Sequence, residues 1–471
     1  MSELLANRET ICAVATPHGT GAQSTIKVSG AEACSIVDQI FRPAQKGITL
    51  SQADPYTAYY GWIIDPDNNG RIDDAIVLVL RAPHSYTGED QVEITYHGNP
   101  FISQLILEKL IDCGARLALP GEYTRRALSN GKLDLSEAEA VADVIAASNR
   151  SALRLSIAQM RGLFRNKIGE LRDQIISLAS LVELGLDFSE EDIEIIPNDE
   201  LLSKCEKLTT EVAELAKSYT TSQVIKNGIP IAIVGATNAG KSTLLNRLLG
   251  DNKAIVSDIH GTTRDIIEDT LNIEGQTFRL IDTAGLRETN DAIEHIGIER
   301  ALEKAQSAEL LLWVIDPQEP TDLLEKTSHI LLQHKPLSQI VPIVNKCDIA
   351  PDELLDKVHH WLTKEGYSKV LTISAREERY TSEIKEMLHQ HFTNLAVDDD
   401  QVLATNIRQA TALKEAGKHL QAAQENINQG LSGEIIAQDL RQATNALGSV
   451  IGEVTTDDLL HSIFSNFCIG K

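Results

Sequence analysis

Between Gly235 and Ser242 the chain reads GATNAGKS, and HGTTRD, DTAG, NKCD and SAR follow in that order before residue 377. A glycine-bounded loop ending in Lys-Ser is suited to holding phosphate. Gly240 permits close backbone approach, the amides from Asn238 to Ser242 can turn toward an anion, and a helix beginning near Ser242 adds positive potential. Lys241 is placed to reach the β and γ oxygens, and Ser242 to ligate Mg²⁺ with Thr263 as its partner. Asp282 opens DTAG, where the Gly285 amide can sense a γ-phosphate. In NKCD, Asn345 and Asp348 suit the guanine edge and Lys346 the face of the base. The Asp348 carboxylate fits donors that adenine does not present in that arrangement. Ser374 to Arg376 would close over the base. The phosphate loop alone predicts a nucleotide, whereas the ordered set predicts GTP rather than ATP.

The position after DTAG is Leu286, whose side chain cannot orient an attacking water as a Ras-type glutamine does. Arg287, Glu288, Asp291 and Glu294 stand nearby, and a carboxylate could hold the water directly or through a second water. The residue chemistry alone leaves the choice among them open.

These groups need a scaffold. Short, nearly continuous apolar runs at Ile229 to Val234, Phe278 to Ile281, Leu310 to Ile315, Ile340 to Val344 and Val370 to Ile373 predict a mostly parallel sheet covered on both faces. On either side the pattern is helical. Leu201, Cys205, Leu208, Val212 and Leu215 predict one buried face, and Leu403, Ile407, Ala410, Leu413 and Leu420 predict another. Residues 1 to about 130 alternate short strands (Ile11 to Ala15, Thr25 to Val28, Ala75 to Leu80, Val92 to Tyr96) with turns such as Asn68 to Gly70, and carry a helix over Phe101 to Cys113. The fold class expected is multidomain α+β and α/β, with a Ras-like doubly wound domain interrupting a helical one near residues 228 and 392, and a solvated linker at Val397 to Asp400.

A length of 471 residues and 42% apolar content give material for roughly two to four cores. With 43 basic and 68 acidic residues the net charge is -25, which argues against a broadly basic nucleic-acid surface; a nucleic-acid partner would need a local patch or a second protein. Cysteines at 12, 34, 113, 205, 347 and 468 form neither a CxxC pair nor a disulfide framework. Glu3 and Glu9 stand where a signal peptide would be basic, and no apolar run approaches the ~18 residues that cross a bilayer, so a soluble cytoplasmic protein is expected.

Five further stretches are specific: TICAVATPHGTGAQSTIKVSG from Thr10, SYTGEDQVEITYHGNP from Ser85, LPGEYTRRALSNGKLDLSEAEAVADVI from Leu119, DFSEEDIE from Asp187, and the terminal FCIGK from Phe467. With them the chain resembles the MnmE (TrmE) family of tRNA-uridine-modifying GTPases over nearly its whole length. The resemblance implies an N-terminal folate-binding and dimerisation domain at 1–130, a helical domain at 131–227 plus 392–471, and a G domain at 228–391. It implies GTP contacts from Asn238, Ala239, Gly240, Lys241, Ser242 and Thr243, and in the first switch from Ser257, Asp258, Ile259, His260, Gly261, Thr262 and Thr263. Asp282, Thr283, Ala284 and Gly285 follow, then Asn345, Lys346, Cys347, Asp348, Ser374, Ala375 and Arg376 around the base.

Carried over by position, Glu294 is the catalytic glutamate, acting on the attacking water through a bridging water. Asn238, Thr262 and the carbonyls of Ser257 and Ile259 form a K⁺ cage, whose cation offsets transition-state charge as an arginine finger does. Lys27, Glu93, Lys132 and Lys471 fall on folate-binding positions, and Cys468 in FCIGK is a motif residue brought near the folate. The implied cofactors are GTP, Mg²⁺, K⁺ and a 5,10-methylene or 5-formyl tetrahydrofolate. The implied partners are a second copy of the chain, an MnmG-type FAD protein in a heterotetramer, and tRNA, with no membrane.

This chain departs from the family pattern at Lys27, where arginine is usual, and at Thr237 and His18, where proline is. Gly19 and Gly21 are what remains of a richer glycine turn, and SAREERY lacks glycines common after the last motif. Two rival readings differ in class. One is a non-hydrolysing folate and tRNA scaffold, which the intact Lys241, Ser242, Thr263 and Glu294 oppose. The other is an Era-like ribosome-assembly GTPase, which would need an RNA-binding GXXG loop that residues 392 to 471 lack.

Overall fold

The computed structural model describes residues 9–187, 196–250, 269–281, 308–377, 379–392, 401–453, 460, 463–464, 467 and 470. The chain forms two compact units, one of residues 1–145, 159–213 and 411–471, the other of residues 146–158 and 214–410. The second unit is thus larger than the expected 228–391 stretch, because helical segments on both sides belong to it.

In the first unit, β1 (Ile11–Val14), β2 (Gln23–Ser29), β3 (Phe41–Pro43), β4 (Thr57–Ile64), β5 (Arg71–Leu80), β6 (Gln91–His97) and β7 (Arg116–Leu117) form a seven-stranded sheet. Its order is β3-β4-β5-β6-β2-β1-β7, antiparallel except for β1 with β7. The strands alternate in burial. Ile26, Val28, Val77, Val79, Val92 and Ile94 share one core with helices α1 (Ala33–Ile40) and α2 (Pro100–Asp112), while Thr25, Lys27, Glu93 and Thr95 between them are half-buried. Asn99 caps α2 by accepting from the Phe101 amide at 2.8 Å. The turn expected at Asn68 to Gly70 is present and joins β4 to β5: Asn69 takes a positive φ of 54° and Asn68 Oδ1 accepts from the Gly70 amide at 2.6 Å. Strands β3, β4 and β7 add to those read from the sequence.

Two long helices of this unit pack against each other. Helix Leu163–Asp187 lies alongside helix Gly433–Ile451, with Gly433 against Leu186 and Val182 and Gly448 against Arg172. The stripe Leu201, Cys205, Leu208, Val212 and Leu215 on helix Asn198–Asn227 is buried as expected. The other expected stripe is corrected at one position, since Ile407 is 61% exposed. The helix starts only at Ile407, so Leu403 precedes it and helical spacing does not connect the two. The buried stripe there is Ala410, Leu413, Ala416, Leu420, Ala423 and Ile427. The chain end returns to the sheet: Gly121 sits against Phe464 and Phe467, and a side chain at Gly470 would collide with the Val14 carbonyl.

In the second unit, β8 (Ile229–Val234), β9 (Asp269–Ile273), β10 (Gln276–Ile281), β11 (Leu310–Ile315), β12 (Ile340–Val344) and β13 (Leu371–Thr372) form a sheet of order β13-β12-β11-β8-β10-β9. It is parallel apart from β9. Every residue of β8, β11 and β12 is buried. Ile231, Ile233 and Leu312 fill one core and Ala232, Val234 and Trp313 the other, which is why these strands read as unbroken apolar runs. The linker expected at 397 to 400 lies outside the described residues. Among the described residues no helix is long and apolar enough to cross a membrane.

Candidate functional site: a nucleotide pocket at the strand ends

All the described nucleotide motifs follow the C-terminal ends of parallel strands, the edge where such sheets bind ligands. Strand β8 leads into the phosphate loop and helix Lys241–Gly250 starts on the loop's lysine. Two glycines shape the loop. Gly235 packs on the Val314 carbonyl, and Gly240, at φ +100°, packs on Asn345 Nδ2; a β-carbon at either would collide. Asn238 holds φ +65°, a left-handed conformation that asparagine tolerates, and is exposed beside the exposed Ser242 and Thr243; Ala239 is buried. Lys241 Nζ donates to the carbonyls of Gly235 at 2.9 Å and Ala236 at 2.8 Å, so the ammonium is held inside the loop. Burial pushes its pKa down and the nearby Glu319 pulls it back.

Asn345 joins three motifs. It is buried, its Nδ2 donates to the Ala239 carbonyl at 2.7 Å, and its Oδ1 accepts from the Ala375 amide at 2.9 Å. The side chain expected to read guanine therefore fastens the phosphate loop to SAR. Asp348 is exposed, Cys347 donates its amide to the Ile373 carbonyl at 3.1 Å, and Arg376 accepts from Arg247 Nη2 at 2.7 Å. Lys346, at φ +63°, pairs its Nζ with Asp316 Oδ2 at 2.5 Å. Ser374 Oγ is buried with no hydrogen-bond partner in the protein, an orphaned hydroxyl in the motif that should close over a base. That orphan and the glycine cradle fit a bound nucleotide. For Mg²⁺ the exposed Ser242 hydroxyl at a helix N-terminus is a suitable donor.

Ser257, Asp258, Ile259, His260, Gly261, Thr262 and Thr263 lie outside the described residues. So do Asp282, Thr283, Ala284, Gly285, Leu286, Arg287, Glu288, Asp291, Glu294, Cys468 and Lys471.

Comparison with known proteins bears directly on this pocket. The MnmE helical domain family matches residues 135–468, and the family described as GTP-binding protein TrmE N-terminus matches residues 10–132. The tRNA modification GTPase MnmE of Bacteroides thetaiotaomicron is 44% identical over 467 residues, covering 99% of this chain and 100% of that protein. Its counterpart in Parabacteroides distasonis is 45% identical over 463 residues, 98% of this chain and 100% of that protein. The chain belongs to the MnmE family. Among solved structures, the G domain of the T. maritima FeoB iron transporter matches with 24% identity, 35% of this chain, 98% of that chain and a TM-score of 0.26, too low to add to the assignment.

Membership in the MnmE family makes the chain a GTP hydrolase, and the pocket above is where the described candidate nucleotide residues converge. A second cluster of this MnmE-family chain is on the first unit's sheet. Lys27 and Glu93 are register partners on β2 and β6, with Nζ 3.9 Å from Oε1. Lys27 Nζ also lies 5.8 Å from the centre of the Tyr86 ring, and Gln91 Nε2 donates to Glu93 Oε1 at 2.9 Å. Lys132 reaches the same 83–90 loop, its stem over Gly88 and its Nζ donating to the Pro83 carbonyl at 3.1 Å. Of the three described folate candidates, Lys27 and Lys132 thus meet the 83–90 loop, and Glu93 stands beside Lys27 on the neighbouring strand.

No sequence motif assigns a role to Tyr86, Asp316, Glu319 or the buried set around Glu122. Asp316 and Glu319 carried a usable signal, since both follow a fully apolar strand at the edge where the other motifs lie. Glu122 carried none, because its partners Arg116 and Arg126 are identified only by contact.

Proposed function

We propose that this chain is a potassium-activated, dimerisation-dependent GTPase that acts with an MnmG-type flavoprotein on C5 of the wobble uridine of tRNA. The added aminomethyl or carboxymethylaminomethyl group takes a one-carbon unit from a 5,10-methylene or 5-formyl tetrahydrofolate. The observation that carries the reading is Asn345, which bonds the phosphate loop and SAR together and so makes GATNAGKS, NKCD and SAR one pocket. In that pocket Lys241 meets the β and γ oxygens, Ser242 and Thr263 hold Mg²⁺, and Asp348 reads guanine. Asn238, Thr262 and the carbonyls of Ser257 and Ile259 hold K⁺, which supplies positive charge beside the transferring phosphate. Glu294 orients the attacking water in place of the glutamine that Leu286 replaces.

Lys27, Glu93, Lys132 and Lys471 hold the folate, with the 1–130 stretch as the folate and dimer module, 228–391 as the G domain, and 131–227 plus 392–471 as the helical one. The protein works in the cytoplasm as a homodimer. Its net charge of -25 fits a protein that leaves much of the tRNA grip to its partner.

The deciding experiment is nucleoside analysis of tRNA from a strain lacking this chain. Loss of the modified wobble uridine is expected, and unchanged wobble uridines would refute the role while leaving the GTPase standing. In vitro, Glu294→Ala is expected to abolish turnover with GTP binding retained, and equal turnover in KCl and NaCl at matched ionic strength would sink the potassium assignment.

A further inference from the structure

The NKCD side of the pocket holds an ion pair with one partner outside every nucleotide motif. Strands β11 and β12 run parallel with Ile315 opposite Val344, and the Asn345 amide donates to the Ile315 carbonyl at 2.8 Å. Asp316 and the turn carrying Asn345 and Lys346 therefore leave the sheet side by side. Lys346 takes φ +63°, a left-handed conformation that costs a lysine backbone energy, and its carbonyl accepts from the Ile349 and Ala350 amides, each at 3.1 Å. Asp316 is fixed by its own turn: Oδ1 accepts from the Gln318 amide at 3.0 Å, and its carbonyl accepts from the Glu319 amide at 2.9 Å. Its Oδ2 accepts from the Lys346 ammonium at 2.5 Å. With 29% of the lysine side chain and 18% of the aspartate side chain exposed, the pair is screened less than one on the open surface. Lys346 is thus held at both ends, by its turn and by Asp316.

We propose that Asp316 is a positioning residue for guanine-nucleotide binding: it holds the Lys346 ammonium so that the lysine stem forms a fixed apolar face for the base. The proposal rests on reading this pocket as the GTP site. A free lysine has a flexible four-carbon stem, and packing that stem against a ligand costs its rotamer freedom. Tied to Asp316, the stem has given up that freedom before the nucleotide arrives. The pair also neutralises the ammonium, so Lys346 offers the ligand methylene surface and the phosphate charge is left to Lys241. Asp316 then tightens binding although it adds a negative charge to a pocket for an anion.

Asp316→Asn removes the charge and keeps an oxygen that can accept from the Gln318 amide. GDP carrying a fluorescent group on the ribose reads affinity and release rate, for this variant alone and in a cycle with Lys346→Met, which keeps an unbranched stem without the ammonium. Asp316→Asn is expected to bind GDP about fivefold more weakly, mostly through faster release, and Lys346→Met to lose about the same. Because both remove the same tether, the double variant is expected to bind within about twofold of either single variant. A carboxylate that only staples its own turn would give losses that multiply to roughly 25-fold in the double variant, and that result overturns the proposal. A carboxylate that acts only as background charge would tighten binding when removed, so tighter or unchanged binding by Asp316→Asn overturns it as well. Should the asparagine variant not fold, Asp316→Ser, whose hydroxyl can accept from the same amide, is measured in the same cycle against the same outcomes. Wild-type protein that fails to bind labelled GDP would sink the GTP reading itself, a different result from equal affinity in wild type and variant.

Discussion

The two sheets place their chemistry in different ways. In the second unit, β8, β11 and β12 are buried on both faces, so these strands leave no side chain free for a ligand, and every described candidate nucleotide group stands after a strand, in the loop or in the first turn of the helix that follows it. In the first unit, Ser24–Val28 of β2 and Val92–Tyr96 of β6 bury alternate residues, and Lys27 and Glu93 are offered from the strands themselves. A doubly covered sheet concentrates function into contiguous loop motifs. A strand pair with one half-exposed face spreads it over residues that meet only across a register.

The largest effect expected is on stability, and it belongs to the first unit. Glu122, 1% exposed, accepts from Arg116 at 2.8 and 2.6 Å, from Arg126 at 2.9 Å and from the Leu119 amide at 2.9 Å. Burial pushes its carboxyl pKa up, but these donors override it and hold the value at about 2, below an ordinary 4.5. A depressed folded pKa contributes stability that is present above the unfolded value and lost as pH falls toward the folded one. Glu122 thus contributes ~3 kcal/mol at neutral pH that disappears between about pH 4.5 and 2. Glu122→Gln is expected to cost about 3 kcal/mol in urea unfolding at pH 7 and to flatten that acid dependence. Equal stability of the variant and wild type at pH 7 would show that the first unit does not depend on this buried set.

The second unit has an equivalent buried support in Asn345, but its loss should read out in ligand binding. Asn345→Ala removes the bonds to Ala239 and Ala375 and leaves both backbone groups unsatisfied, a cost of about 2 kcal/mol that corresponds to roughly a 30-fold loss of GDP affinity. Fluorescence titration with labelled GDP measures it. An affinity within threefold of wild type would mean that the phosphate loop and SAR hold together without their shared side chain, and the contrast between motif-borne and register-borne sites would weaken.

That contrast also explains what could be read from the sequence. The runs Ile229 to Val234, Leu310 to Ile315 and Ile340 to Val344 coincide with β8, β11 and β12 because burial on both faces leaves no polar residue to blur a strand's ends. Strand β4 carries no such signal, since Tyr60 on it is exposed and Gly61 sits beneath the Phe41 ring, neither of which reads as strand patterning. GATNAGKS and NKCD were legible as binding motifs, yet the bonding that makes Asn345 a brace and Asp316 a partner of Lys346 depends on tertiary contact. Ile407 departs from the expected stripe for a local reason: it is the first residue of its helix, so spacing counted from Leu403 does not carry across the helix start. Lys27 and Glu93 stand 66 residues apart and carry no spacing signal, so only family resemblance singled them out.

The smallest effect expected tests those two residues. At 3.9 Å and with both side chains partly exposed, the Lys27 to Glu93 pair contributes little to folding, so Lys27→Ala is expected to change stability by less than about 0.5 kcal/mol. If the strand face holds a folate carboxylate, the same variant loses about fivefold in affinity for 5-formyltetrahydrofolate by equilibrium dialysis. Lys27→Arg is then expected to bind at least as tightly as wild type, because a guanidinium presents two parallel donors where the ammonium presents a point charge. Unchanged folate binding in the alanine variant would return Lys27 to a solvated strand lysine. A gain from arginine with no loss from alanine would place the folate carboxylate beyond the reach of the native ammonium but within that of the longer fork.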